Sequence, residues 1–192
     1  MRLKQPRIAP LERQQWTPEQ REIMAPMLAG KGVGGQASNI FATLLHHPGL
    51  FKRWLVFGNH VLFKSTLPAR DRELAILRIG WLCQSGYEFC QHVLIGRESG
   101  ITDVEIERLK AGPAAPGWSE RDQAILRATD ELHADAFIGD ATWAALAAIY
   151  STEQIMDLVF AVGQYNLVSM ALNTFGVQAD ASIAGMWPTP PG

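Results

Sequence analysis

The chain has 192 residues, of which 47% are hydrophobic, and its formal net charge at pH 7 is −2. This length suits one domain with a sizeable core, and the apolar content excludes a disordered chain. The charges are spread along the chain, so no basic face indicates nucleic-acid binding. No apolar run reaches the roughly 20 residues of a membrane span, and the N-terminal segment lacks the apolar stretch of a signal peptide. We therefore expect a globular, cytoplasmic protein.

The N-terminal part is predicted to be an arm followed by one helix. The first 16 residues are polar and contain prolines, and we expect this arm to order against a neighbouring subunit. Thr17 is predicted to cap the helix, with Pro18 at its first position. The glycine-rich residues 29–36 end the helix. They lack the preceding strand and the lysine-serine pair of a phosphate-binding loop, so we predict no nucleotide site there.

Eight further helices are predicted from apolar residues at helical spacing, N-cap residues and glycine or proline stops. No segment alternates as a strand does, so the predicted fold class is all-α with about nine helices. The helix at 67–83 is apolar on nearly all sides and is predicted to be buried. The predicted N-caps of the later helices are Thr102, Ser119, Asp140 and Ser151. The eight ranges are 38–47, 49–65, 67–83, 87–98, 102–112, 119–135, 140–150 and 151–176.

The chain divides into three predicted parts. Residues 1–36 form the arm and first helix, residues 37–178 a helical domain, and residues 179–192 a tail that cannot continue a helix. Inside the domain, "LPARDRELAILRIG" and "WSERDQAILRATDE" share an Arg-Asp dipeptide followed by similar apolar residues. This similarity is too short to establish an internal repeat.

Both cysteines, Cys83 and Cys90, are predicted to be small buried hydrophobic residues. Seven residues of one helix correspond to a rise of about 10 Å, whereas a disulfide needs Cα atoms within about 7 Å. Only a helix break at residues 85–86 would bring the two thiols together. Neither cysteine lies in the Cys-x-x-Cys arrangement that lowers the pKa of a thiol.

Ser85, Glu88 and His92 share one helical face, because they occupy positions i, i+3 and i+7. A histidine with a pKa near neutrality transfers protons, and a carboxylate four residues earlier can orient it. Glu73 approaches from the preceding buried helix, where an apolar environment would raise the pKa of its carboxyl group. These residues predict a general acid/base site.

A purely structural interpretation stays open. Ser85 and Glu88 also match a capping box at the start of a helix. In that case His92 is a core histidine, and Glu73 forms an ion pair with Arg70 or Arg78.

Other residues are predicted to bind substrate. Ser85 and Tyr87 are candidate hydroxyl donors to an enolate or carboxylate oxygen. His47 precedes Pro48 at a helix end, where it either caps the helix or lines a pocket. A substrate carboxylate needs a cation, and the arginines nearest in sequence are Arg72, Arg78 and Arg97. We predict no metal, because no histidine and carboxylate spacing of the His-Glu-x-x-His type occurs.

Four stretches of the chain resemble the carboxymuconolactone decarboxylase family, which includes the alkylhydroperoxidase D-like proteins. They are "SNIFATLLHHP", "LPARDRELAILRIGWL", "SGYEFCQHVLIGRESGIT" and "LVFAVGQYNLVSMALNTFGV". The peroxidase branch carries Glu, eleven residues, and then Cys-x-x-Cys-x-x-x-His. In that register Glu73 and His92 are kept, whereas Ser85 and Glu88 replace the two cysteines. The chain therefore looks like the decarboxylase-like branch that lacks the Cys-x-x-Cys.

This resemblance implies an all-α, alkylhydroperoxidase D-like fold that assembles into homo-oligomers, trimers or hexamers. It implies a cofactor-free lyase that acts on a small carboxylated, lactone-type substrate, with His92, Glu88 and Glu73 as catalytic residues. Two alternatives remain. One is an alkylhydroperoxidase-like antioxidant with peroxiredoxin activity, which the missing Cys-x-x-Cys disfavours. The other is a non-catalytic oligomeric binding protein.

Overall fold

A computed structural model describes residues 1–29 and 38–187, and in those residues it contains nine α-helices and no strand. The predicted all-α class is therefore confirmed. Beyond Ala29, the glycine-rich segment predicted not to bind phosphate lies outside the described residues. Two short 3₁₀-helices, Arg13–Gln15 and Ala181–Ile183, lie near the chain ends. The α-helices are α1 Pro18–Ala29, α2 Asn39–Leu44, α3 Pro48–Phe63, α4 Ala69–Leu82, α5 Gly86–Glu98, α6 Asp103–Ala111, α7 Glu120–Asp135, α8 Asp140–Ala147 and α9 Thr152–Phe175.

Most of the predicted helix starts are confirmed, because the capping hydroxyl accepts the backbone amide three residues further on. This holds for Thr17, Thr102, Ser119 and Ser151. The prediction for Asp140 is wrong, since Gly139 occupies the N-cap and Asp140 is the first helical residue. Glu131 of α7 caps α8 instead, accepting the Gly139 amide at 2.9 Å and the Thr142 hydroxyl at 2.6 Å.

α4 lies at the centre of the fold and packs against α5, α7 and α9. Every residue from Asp71 to Gly80 is buried, which confirms the prediction of a buried helix. Because the burial extends around the whole helix, Arg72, Glu73 and Arg78 are buried with the apolar residues. Buried charged groups need partners, and these partners define the polar clusters of the molecule.

α9 is the longest helix of the described residues and combines a buried with an exposed face. By length and composition it could cross a membrane, so the expectation that no segment reaches that length is wrong. Half of its most apolar window is buried inside the fold, as in the core helix of a globular domain. The exposed face carries Met156, Phe160, Leu167 and Met170.

The N-terminal arm lies on its own chain. The amides of Arg7 and Ile8 donate to the Phe175 carbonyl, and the Leu11 amide donates to the Ala42 carbonyl. Trp16 is buried in a second, smaller hydrophobic cluster. The arm therefore has partners on its own chain, and the expectation that it needs a neighbouring subunit stays a prediction.

Candidate functional site

The break between α4 and α5 brings their polar side chains together. Gln84 has a φ of 50°, and the Ser85 amide returns to the Gly80 carbonyl at 2.9 Å. Gly80 of α4 lies against α5, since a Cβ at this position would be in ordinary van der Waals contact with the Phe89 backbone nitrogen, 3.5 Å away. The two helices thus form a tight hairpin whose inner faces carry Glu73 and His92.

His92 lies between two carboxylates. Its Nδ1 is 2.6 Å from Oε2 of Glu73, and its Nε2 is 3.0 Å from Oε1 of Glu88. Glu73 is 0% exposed, and Glu88 and His92 are each 4% exposed. We call Glu73, His92 and Glu88 the Glu–His–Glu cluster. The sequence predicted that these three residues form a site, and the structure brings them into direct contact.

The cluster is arranged so that charges compensate each other. Burial alone lowers the pKa of His92, but the charges of Glu73 and Glu88 and the hydrogen bonds to them outweigh burial and raise its pKa to about 10. Arg72 adds a second positive charge, donating from Nε to Glu73 Oε1 at 3.1 Å. Two carboxylates therefore face one imidazolium and one guanidinium, and the buried group is neutral as a whole.

The capping-box interpretation of Ser85 and Glu88 is wrong. Ser85 makes no side-chain capping bond, and its buried hydroxyl has no partner among the described residues. Glu88 turns towards His92 instead, because a buried cation attracts a carboxylate more strongly than a backbone amide does.

The predicted ion pair of Glu73 with Arg70 or Arg78 is also wrong. Arg70 pairs with Asp122 and Glu105, and Arg78 with Asp130. Of the three arginines considered for a substrate carboxylate, Arg72 is the one in the cluster. Arg97 pairs with Asp103 at an exposed position.

Tyr165 of α9 belongs to the site but was missed in the sequence. Its ring packs edge-on against His92, with centroids 4.7 Å apart and an interplanar angle of 79°. Burial and then the charges of Glu88 and Glu73 raise the pKa of its hydroxyl far above the usual value, so the phenol stays protonated. No local spacing links Tyr165 to His92, and only the packing of α9 on α5 joins them.

Two of the residues predicted to bind substrate, Tyr87 and His47, form hydrogen bonds outside the Glu–His–Glu cluster. Tyr87 donates its hydroxyl proton to Asp180 and accepts the Ile40 amide at 3.4 Å. His47 is exposed and caps the N-terminus of α3, with Nδ1 accepting the Leu50 amide at 3.3 Å. His47 thus caps the helix that follows it rather than the one before it. Neither side chain hydrogen-bonds to Glu73, His92 or Glu88.

Both thiols are free. Cys90 is buried as predicted, and burial raises its pKa to about 11. Cys83 is only half-buried, so that prediction holds in part; its thiol donates to Asn166 at 3.0 Å. Burial also raises the pKa of Cys83. A thiol with a raised pKa is a poor nucleophile near neutral pH.

No group of three or more histidine, cysteine or carboxylate side chains is placed to hold a metal ion within residues 1–29 and 38–187. The predicted absence of a cofactor and a metal stays a prediction.

A family comparison assigns similarity to part of the chain. The model of the carboxymuconolactone decarboxylase family matches residues 48–131. This range runs from α3 into α7 and contains the Glu–His–Glu cluster, but it ends before α9 and Tyr165. A comparison with curated proteins finds no match.

Solved structures share the fold over most of the chain. A peroxidase-related protein of Ralstonia eutropha with an alkylhydroperoxidase AhpD core is 18% identical, with a TM-score of 0.77, covering 96% of this chain and 98% of that one. A putative antioxidant defence protein AhpD of Agrobacterium tumefaciens is 24% identical, with a TM-score of 0.67, covering 72% and 95%. A variant of the debrominase Bmp8 bound to 2,3,4-tribromopyrrole is 16% identical, with a TM-score of 0.70, covering 91% and 92%. These TM-scores show a common helical fold.

Proposed function

We propose that this chain, whose residues 48–131 match the model of the carboxymuconolactone decarboxylase family, is a cofactor-free lyase that decarboxylates a small, carboxylated, lactone-type substrate. The observation that carries this proposal is His92, held by hydrogen bonds between the carboxylates of Glu73 and Glu88 in a buried, charge-balanced cluster. Such a group moves protons without a metal or a thiol.

Each member of the cluster has a distinct role in the proposed reaction. Glu73 is fully buried and bonded to Arg72, so it orients the imidazole ring and stabilises its positive charge. His92 is the proton donor, and Glu88 receives and returns the proton on Nε2 across 3.0 Å. Ser85 contributes an unpaired hydroxyl that can donate to a developing oxyanion.

The proposed step breaks the bond between the substrate's carboxylate carbon and the adjacent ring carbon. Carbon dioxide leaves, and the electron pair passes into the conjugated lactone carbonyl, which becomes an enolate. The enolate carbon then takes a proton from the His92–Glu88 pair, and a proton from solvent restores that pair. Acid catalysis of this kind contributes about 10²- to 10⁴-fold to a rate.

Substrate access requires local movement. Glu88 and His92 are each 4% exposed, and the Tyr165 ring lies against the imidazole. A substrate must therefore displace covering side chains, as happens when an active site opens on the microsecond to millisecond timescale.

A dithiol peroxidase is disfavoured despite the names of the structural neighbours. Ser85 and Glu88 occupy the register positions of the two cysteines, so no thiol lies beside His92. Cys83 and Cys90 have raised pKa values and therefore carry little thiolate. The non-catalytic binding alternative relied on the Ser85–Glu88 cap, which does not form.

The test is turnover of carboxymuconolactone and related lactone carboxylates by the purified chain, measured as release of carbon dioxide. We expect turnover without added metal or cofactor. Absence of turnover on every member of the series rejects this substrate class. Peroxide consumption with loss of the free thiols of Cys83 or Cys90 would establish the peroxidase alternative instead.

We further propose that the chain forms a homo-oligomer through an apolar face on α3 and α9. Phe57 and Phe160 pack edge to face, with ring centroids 6.0 Å apart, yet remain 37% and 55% exposed. Phe63 and Met156 are 75% and 55% exposed. Exposed apolar patches of this kind mark protein interfaces, and a two-fold contact brings the same patch of each copy together.

Light scattering coupled to size-exclusion chromatography tests the assembly. Phe160→Glu is expected to lower the measured mass towards that of one chain. Trp143→Glu is the matched control, because Trp143 is 50% exposed but lies on α8. A wild-type chain that elutes as a monomer contradicts the proposal.

A further inference from the structure

The buried group around His92 is balanced in charge but not in hydrogen bonds, because Arg72 has donors to spare. A guanidinium group carries five N–H donors in a planar fork. Nε of Arg72 donates to Glu73 Oε1 at 3.1 Å, and its Nη2 lies 3.1 Å from the same oxygen. Glu73 therefore occupies the Nε–Nη2 edge of the guanidinium. Among the described residues Glu73 is the one partner that the structure gives Arg72, so the outer Nη1–Nη2 edge is free.

Arg72 is also the member of this group that reaches furthest towards solvent. The residue is 9% exposed, more than Glu73, Glu88 or His92. The fully buried side-chain atoms that lack a partner do not include its Nη1. The free edge of the guanidinium is therefore in contact with solvent, whereas the edge that binds Glu73 faces the interior.

Tyr165 lies near Arg72 and links it to His92. The Tyr165 ring covers the imidazole, with centroids 4.7 Å apart. Burial and then the charges of Glu88 and Glu73 raise the pKa of the Tyr165 hydroxyl, and the positive charge of Arg72 acts in the opposite direction. The guanidinium is thus close enough to act on this hydroxyl. A ligand that enters beside Arg72 meets Tyr165 next and the imidazole behind it.

The free edge of Arg72 has the geometry of a carboxylate-binding group. Its two parallel N–H donors match the two oxygens of a carboxylate, which neither a lysine nor a hydroxyl group can do. The side chain is 11% exposed, so it is largely shielded from water. Charge-assisted hydrogen bonds are stronger in such surroundings than at an exposed surface.

We propose that Arg72 is a specificity-determining residue whose free edge binds a carboxylate that the substrate keeps through the reaction. This inference rests on the proposed lyase function. A cation on the leaving carboxylate would stabilise the substrate more than the transition state, in which that charge has moved into the ring. Arg72 therefore holds the retained carboxylate and fixes the ring beside His92.

Calorimetric titration of the full chain with γ-butyrolactone-acetate and its primary amide tests the assignment. This saturated lactone acid carries the retained carboxylate and lacks a leaving one, so its binding does not depend on turnover. The acid is expected to bind about ten- to a hundredfold more tightly than the amide, as hydrogen bonds to a charged group allow. Equal binding of the two compounds, or no binding of the acid, overturns the proposal.

An Arg72→Lys variant locates the carboxylate. It keeps the positive charge beside Glu73 but has no second edge, and it is expected to lower the preference for acid over amide by about tenfold. A purely structural role would weaken both compounds alike. Arg97→Lys is the matched control, because Arg97 pairs with Asp103 at an exposed position, and it is expected to keep the wild-type preference. The wild-type preference in a folded Arg72→Lys chain overturns the proposal.

The subsite and the lyase function fail separately. If the acid binds through Arg72 but no lactone carboxylate is turned over, the subsite stands and the lyase function is rejected. If a folded Arg72→Lys chain turns over lactone carboxylates with the kcat/KM of wild type, the lyase function stands and the role assigned to Arg72 is wrong.

Discussion

At the first turn of α4, Arg70 donates to Asp122 at 2.5 Å, and Arg121 donates to Asp71 at 2.8 Å. The two Arg-Asp dipeptides of the sequence thus exchange partners between α4 and α7, and we call these four residues the Arg–Asp clasp. One residue beyond Arg72, the same helix carries Glu73 of the Glu–His–Glu cluster. Two charged clusters therefore lie side by side on α4.

The Arg–Asp clasp and the Glu–His–Glu cluster differ in whether a proton can move from one side chain to another. The hydrogen bond with Asp122 raises the pKa of Arg70. Burial raises the pKa of Asp122, but its bond with Arg70 outweighs burial and lowers it. The Arg70–Asp122 pair is therefore charged near neutral pH, and it only holds helices together. A histidine between two carboxylates can instead give up its proton to either side, which makes the second cluster suited to chemistry.

The largest expected effect is on activity. His92→Gln is expected to lower kcat/KM for decarboxylation by about 10²- to 10⁴-fold, because it removes the proton donor. Asp122→Asn in the clasp is expected to leave kcat/KM unchanged when the protein is folded. His133→Gln, which replaces a histidine outside the cluster, is the matched control. Full turnover by a folded His92→Gln chain would remove His92 from the mechanism.

The second expected effect is on stability. Glu73→Gln removes the buried carboxylate that pairs with both Arg72 and His92. The unfolding free energy is therefore expected to fall by about 3 kcal/mol. Asp122→Asn removes a bond to a charged group that is more accessible and is expected to cost about 2 kcal/mol. Urea denaturation of both variants measures the difference. A smaller cost for Glu73→Gln than for Asp122→Asn contradicts the expected order.

The third expected effect is that the two clusters change the unfolding free energy in different pH ranges. The folded-state pKa of His92, about 10, lies above its usual value of 6.5. Its contribution to stability is therefore complete below pH 6.5 and is lost as pH rises towards 10. Between pH 6.5 and 9, the unfolding free energy is expected to fall by up to about 1.4 kcal/mol per pH unit.

His92→Gln is expected to flatten this alkaline slope, whereas Asp122→Asn is expected to keep it. The lowered pKa of Asp122 acts at the opposite end, since its contribution is present above its usual value of 3.8 and is lost as pH falls further. Denaturation curves at four pH values between 6.5 and 9 measure the slope. An equal slope in wild type and His92→Gln contradicts the assignment to His92.

The smallest expected effect is that of Tyr165→Phe. The ring that packs on His92 stays in place, so the unfolding free energy is expected to change by less than about 1 kcal/mol. If the hydroxyl contacts the substrate, kcat falls while the stability and its pH slope stay as in wild type. A changed pH slope would show that the hydroxyl acts on His92 itself.

Features with a local cause were predicted from the sequence. Thr102 and Ser151 cap their helices as predicted, because a hydroxyl and an amide three residues apart meet in any helix start. The burial of α4 followed from its apolar content on every side. The shared face of Glu88 and His92 followed from helical geometry.

Where a side chain had competing partners, the sequence left the choice open or assigned it wrongly. Glu88 had two available partners, Ser85 in a capping box and His92 one turn further on, and burial of the imidazolium decided between them. Asp140 was displaced as a cap by Glu131, which reaches α8 from α7. In each case a side chain from elsewhere in the fold competed with the local one.

By itself the sequence determined the all-α class and most helix boundaries. It also determined that Glu73 and His92 match the glutamate and histidine of the peroxidase motif, whereas Ser85 and Glu88 stand at the positions of its two cysteines. These follow from periodicity and short-range hydrogen bonds, which depend on residues a few positions apart. The tertiary structure decided that Tyr165 covers the histidine, that Arg72 is the arginine of the cluster, and that the Arg–Asp dipeptides clasp each other. Each of these needs helices distant in sequence to pack together, and burial then selects which charges must pair.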